Sequence, residues 1–241
     1  MSEAGTVAEL RPNTGRQLER EVDGQVFLRY PIRTHFVEIG EDYLELVKNY
    51  VLPYYQQGDI LSISEKIITL CQDNVLYKDQ VKIGLLAKIL SRFVMKTPYG
   101  QSVGNVYKMQ AAINLCGWWR VLFAAILSGI GKLFGKHGIF YQFLGNGVSN
   151  IDGFNSFEWD YYGDKGLLGP VEPDKVCEEI NEEFNIQCMI VDANDLGVEI
   201  MGKNKEMNYD ESFLKALIKD NPAGQSTQQT PFILIRRQNV N

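Results

Sequence analysis

Four acidic residues, Asp152, Glu158, Asp160 and Asp164, fall within VSNIDGFNSFEWDYYGD (148–164), interleaved with five aromatic side chains. Carboxylates gathered in one loop hold a hard cation when their oxygens converge; spread along a solvated loop they are surface charge. Asp192 ends the apolar run IQCMIV and is followed by Ala193 and Asn194. Ligands of α/β sheets sit beyond the carboxyl ends of strands, so Asp192 and Asn194 are candidate oxygen donors there. The same residues also read as an Asx-turn closing a strand, and Asp152, in NIDG, reads equally as a turn residue. Lys66 follows the β-rich ILSI, where a lysine can face a phosphate as a point charge or simply lie at the surface. DNPAGQSTQQTP (220–231), with Gly224 and many amide and hydroxyl groups, is long for a connection and has the composition to line a nucleotide or a small acid.

Other chemistries are excluded or disfavoured. No Walker A or GxGxxG pattern is present, and no Ser-His-Asp or Cys-His pairing is readable locally. Two histidines, far apart in sequence, argue against a His-rich zinc site. The four cysteines match no CxxC spacing and read as reduced thiols, and with no secretory signal pattern the cytoplasm is the expected compartment. A net charge of −6 and a pI near 5.1 give no global electrostatic footprint for nucleic acid.

The elements that must position these residues are α+β in kind. Residues 1–22 are polar and read as a mobile tail. FLRYPI alternates as a strand, GEDYLELVKNYV reads as a short helix stopped by Pro53, and Ile60 to Ile63 as a strand. Helices are predicted near residues 83–93, 107–116 and 118–134, and again from Pro173, where a missing N–H costs nothing at a first turn. IQCMIV, the helix in DESFLKALIKD and the strand in TPFILIRR complete the chain. The boundaries follow as the 1–22 tail, a 23–145 α+β lobe with a helical insert, and a 146–241 α/β lobe whose last strand can return to the first.

The apolar run Val121 to Ile130 is half the roughly twenty residues a membrane span needs. It is expected to form a buried helix, in the core or at a dimer interface. An interfacial helix, with Trp118 and Trp119 beside Arg120, is the alternative, and a membrane is not expected as partner.

Several blocks occur in an order that resembles one family. PIRTHFVEIGEDYLELVKNYV…GDILSISEKIITLCQ, KLFGKHGIFYQFLG, LLGPVEPDKVCEEI, MIVDANDLG and DNPAGQSTQQTP, over roughly residues 26–237, resemble the coenzyme F420-0:L-glutamate ligase (γ-glutamyl ligase) family, in its uncharacterised bacterial branch. The resemblance implies a GTP- and metal-dependent ligase, assembled as a homodimer. The family phosphorylates a carboxylate, and the glutamate amine attacks the acyl phosphate. Carried over residue by residue, Ile151, Asp152 and Asn155 match the Ile-Asp-x-x-Asn block, and Asp192 with Asn194 the Asp-x-Asn block. This makes Asp152 and Asp192 the expected ligands of Mg²⁺ or Mn²⁺ in one shared pocket. Lys66, Asn194, Gly224 and Gln225 become the expected nucleotide-binding residues. Asp195-Leu196-Gly197 replaces the family's Gly-Arg, Gln225 stands where a glutamate is expected, and the insert from about Ile83 to Phe134 has no clear counterpart. A non-catalytic homologue that binds a nucleotide or a small carboxylate is therefore the second expectation.

Overall fold

The protein is α+β; residues 10–93, 103–136, 138–149, 151–154, 160–194, 197–224 and 228–238 are described in this computed structural model. The strands are β1 (Glu19–Val22), β2 (Gln25–Ile32), β3 (Ile60–Ser64), β4 (Val75–Tyr77), β5 (Asp152–Gly153), β6 (Lys165–Leu167), β7 (Gln187–Asn194), β8 (Gly197–Lys203) and β9 (Phe232–Arg237). The α-helices are α1 (Tyr43–Leu46), continued as a π-turn over Val47–Val51, α2 (Glu65–Cys71), α3 (Leu85–Phe93), α4 (Val106–Cys116), α5 (Trp118–Leu133), α6 (Ile139–Leu144), α7 (Asn146–Ser149), α8 (Pro173–Phe184) and α9 (Glu211–Ile218). They build two compact units, Met1–Asp73 with Pro170–Asn241, and Asn74–Gly169.

In the first unit the strands form a mixed sheet in the order β1-β2-β9-β3-β7-β8. β9 lies antiparallel between β2 and β3, and β3 pairs parallel with β7 (Ser64 opposite Val191). Side chains alternate across a strand, so each strand feeds two cores. Leu61, Ile63, Cys188, Ile190 and Leu234 join Val176 and Ile180 of α8 on one face. Ile60, Met189, Val191 and Ile235 join Leu214, Leu217 and Ile218 of α9 on the other. Both helices have local start signals. α8 begins with Pro173 and ends on left-handed Asn185 (φ 54°), and Asp210 caps α9 by accepting the Phe213 N–H at 2.8 Å.

Residues 19–22, expected in a mobile tail, are a strand. Asp23 (φ 50°) and Gly24 (φ 73°) close a two-residue hairpin that pairs Val22 with Gln25. The segment before it is held by side chains: Asn13 Nδ2 donates to the carbonyls of Pro222 (2.9 Å) and Ala223 (3.0 Å), and Arg16 to that of Asp220 (2.8 Å).

The second unit carries a small sheet ordered β4-β6-β5 and a helical core. Ala87 and Leu90 of α3, Met109 and Ala112 of α4, Val121 and Ala124 of α5 and Phe140 of α6 form that core. Of the two expected places for the apolar helix, the core of its own chain does not enclose it. α5 buries Val121, Ala124 and Gly131 and leaves Phe123, Ile126, Ile130 and Leu133 exposed. Its small side chains face the neighbouring helices, and a Cβ on Gly131 would collide with the Ile139 side chain. Close approach on that face turns the large residues outward. No single helix among the described residues is long and apolar enough to cross a membrane.

Candidate functional site at the carboxyl edge of the sheet

β2, β3 and β7 run in one direction, because each of β2 and β3 is antiparallel to β9 and β7 is parallel to β3. Their carboxyl ends therefore share one edge of the sheet. Arg33 and Thr34 follow β2 there, Lys66 lies in the first turn of α2 directly after β3, and Asp192 and Asn194 close β7. The long polar connection before β9 returns to the same edge: the Ser64 N–H donates to the Pro231 carbonyl at 2.9 Å and the Thr34 N–H to that of Gln229 at 3.0 Å. The topology thus groups three of the expected residues, Lys66, Asp192 and Asn194, with the loop that carries Gly224.

Several details differ from the sequence expectation. Lys66 follows the strand as expected but is helical, since Glu65 to Cys71 form α2 immediately. Asp192 lies inside β7, which continues to Asn194, and Glu199 of β8 stands directly opposite it in the antiparallel register. Glu199 thus lies on the same face of the sheet as Asp192 and is an additional candidate oxygen donor. Asn194 Oδ1 accepts the Gly197 N–H at 3.1 Å and so supports the turn into β8. Gly224 takes a left-handed φ of 73°, and its N–H donates to the Asn221 carbonyl at 3.0 Å. Asn155, Glu158 and Gln225 lie outside the described residues.

Asp152 belongs to the second unit and Asp192 to the first. Asp152 Oδ1 accepts the Gly153 N–H at 2.7 Å and lies 3.7 Å from Nζ of Lys108, a buried lysine of α4. Farther along the acidic stretch, Asp164 pairs with Lys165 at 3.0 Å, and this hydrogen bond, with the lysine charge, holds its carboxyl below the usual range. Lys165 Nζ also sits 4.4 Å from the Tyr161 ring centroid. Two of the four carboxylates in 148–164 thus have lysine partners. Among the described residues no group of three or more His, Cys, Asp or Glu is placed to hold a metal ion.

Sequence reasoning missed a cavity of about 410 Å³ in the first unit, with Arg11, Asn13, Arg33, Tyr54, Gln228 and Thr230 among its lining residues. Thr230 Oγ1 accepts from Asn13 Nδ2 at 2.9 Å and donates to the Ala223 carbonyl at 2.8 Å, so the polar loop and the N-terminal segment form one wall. Two arginines and several neutral donors make the cavity suited to an anion. The available signal was Asp-Gly between Val22 and Val26, a hairpin signature that brings the preceding residues onto the sheet.

No family model matches the chain, and no curated protein matches it significantly.

Proposed function

We propose that this protein is a cytoplasmic, F420-0:γ-glutamyl-ligase-like enzyme that uses GTP and Mg²⁺ or Mn²⁺ to join an amino acid to a carboxylate through an acyl phosphate. One observation carries the reading. The shared carboxyl edge of β2, β3 and β7 collects cations (Arg33, Lys66), a carboxylate (Asp192) and a donor-rich loop, next to a cavity lined by two arginines. Phosphoryl transfer needs such a set: cations and backbone donors for the phosphates, and a carboxylate to hold the metal that spreads the transferring charge. Asp192, with Glu199 opposite, supplies carboxylate oxygen of the kind Mg²⁺ and Mn²⁺ take. The metal, when bound, screens the phosphates and orients the terminal one; Lys66 and Arg33 would bind the remaining phosphate charge. The homodimer implied by the resemblance belongs to the same proposal.

The test is a thermal-shift screen of GTP, GDP and ATP with and without Mn²⁺, followed by product analysis with carboxylate acceptors and glutamate. A nucleotide at a hundred times its Kd adds about 2.7 kcal/mol of stability. GTP with Mn²⁺ should stabilise the protein, and Asp192→Asn should remove most of that gain while the apo protein stays folded. Absence of any nucleotide- or metal-dependent shift would sink the proposal.

A second reading, a non-catalytic homologue that binds a nucleotide or a small carboxylate, has its own support. Asp152 has Lys108 as a charge partner, and the Asn194 side-chain Oδ1 serves a turn, so both are less available as ligands. Nucleotide binding without turnover of any acceptor would favour it.

A further inference from the structure

Charge is distributed unevenly along this chain. Residues 81–151 contain eight of the 24 lysines and arginines and none of the 30 aspartates and glutamates, in a protein whose net charge is −6. The same segment carries the exposed apolar surface. Of the large exposed apolar side chains among the described residues, all but Val171 lie between Leu85 and Phe143. On α5 they form a stripe. Trp119, Phe123, Ile126, Ile130 and Leu133 follow one another at alternating intervals of four and three residues, which places them on one helical face. Trp118, 63% exposed, starts the helix, and Phe134, 77% exposed, follows its end. Arg120 and Lys132, on the flanks of α5, and Lys136, just past its end, are exposed. On α3, Leu85, Ile89 and Phe93, at intervals of four, are also exposed, with Lys88 and Arg92 exposed between them.

We propose that the outer face of α5, assisted by α3, docks on an anionic membrane surface, with α5 lying in the plane of the interface. Apolar side chains enter the headgroup boundary, tryptophans favour that depth, and lysines and arginines meet anionic lipid. Among the described residues no single helix is long and apolar enough to cross a bilayer, and α4 and α5, which reach that apolarity only as a pair, are bent by 118°. The charge pattern selects the lipid over a second copy of the chain. A self-paired α5 would bring Arg120 and Lys132 against their own kind, with no acid in the whole segment to pair them. A homodimer then uses another surface.

The experiment is co-sedimentation of the full-length protein with vesicles of phosphatidylcholine alone and of equal parts phosphatidylcholine and phosphatidylglycerol. The tryptophan emission is read in parallel, since two of the three tryptophans, Trp118 and Trp119, are exposed at the start of α5. Binding to the anionic vesicles only, a blue-shifted emission, and weakening as salt shortens the screening length are expected. Arg120→Glu/Lys132→Glu should weaken binding at least about tenfold. Ile126→Ser/Ile130→Ser, a variant that leaves the charge unchanged, should weaken it and lose the blue shift. The wild-type comparison stands whether or not either variant folds. No vesicle binding, equal binding to neutral vesicles, or self-association that Ile126→Ser/Ile130→Ser abolishes in place of vesicle binding would each overturn the proposal.

Discussion

Replacing Asp220 by asparagine tests how the polar loop beside the cavity is anchored. Arg29 of β2 is fully buried, and its guanidinium reaches both carboxylate oxygens of Asp220, at the start of that loop. It also donates to the carbonyls of Leu217 at 3.0 Å and Gln17 at 2.8 Å. The Asp220 carbonyl in turn accepts from Arg16 at 2.8 Å, so one contact set joins α9, the N-terminal segment and the loop. Removing one partner of a buried ion pair strands the other and costs about 3–5 kcal/mol. The Asp220 side chain is 33% exposed, so water recovers part of this and the lower end, about 3 kcal/mol, is expected for Asp220→Asn. Arg29→Met/Asp220→Asn removes both charges and should cost less than Asp220→Asn alone. The pH dependence has a definite sign. Burial alone would raise the Asp220 carboxyl; the Arg29 hydrogen bond and charge overcome it and hold the group below its ordinary value. Stability from a depressed carboxyl is present above the unfolded pKa of about 4 and is lost as pH falls through the folded value. The gap between wild type and Asp220→Asn should therefore narrow from neutral pH to about pH 3. Urea unfolding followed by circular dichroism measures all of this. A single-variant cost under about 1 kcal/mol, a double variant worse than the single, or a gap unchanged by acid would refute the reasoning.

Two further outcomes follow from local packing. Gly153 has φ 84°, and a Cβ there would fall on the Lys165 carbonyl oxygen, so Gly153→Ala should destabilise the protein by at least about 2 kcal/mol in thermal unfolding. Cys177 and Cys188 are buried, burial pushes the Cys188 thiol well above its ordinary value, and burial with the nearby Glu41 and Asp42 charges pushes Cys71 up to about 12. A thiol reagent near neutral pH should leave Cys177 and Cys188 unlabelled in the native protein and reach all four cysteines in urea; native labelling of that pair at free-thiol rates would contradict the packing.

Local chemistry determined many elements from the sequence alone. Pro173 and Asn185 mark the two ends of α8, Asp210 starts α9, and the apolar runs at Ile60 and Cys188 are strands, because caps, turns and short-range periodicity act within a few residues. The Asp23-Gly24 hairpin was equally local, yet the polar composition around it masked the signal. Strand order is another matter. β9 inserts between β2 and β3 from the far end of the chain, and only that placement aligns the carboxyl ends of β2, β3 and β7 and brings the 220–231 loop to Ser64. Charge partners are just as non-local: nothing near Asp152 in sequence announces Lys108, and nothing near Arg29 announces Asp220. The apolarity of α5 was plain from its residues, but which side meets its neighbours was settled by the small residues that allow helices to approach, leaving the large ones facing outward. Sequence determines what a segment can form over the reach of a turn; tertiary structure decides which distant segment satisfies its remaining surface, because that choice depends on shape and charge contributed from elsewhere in the chain.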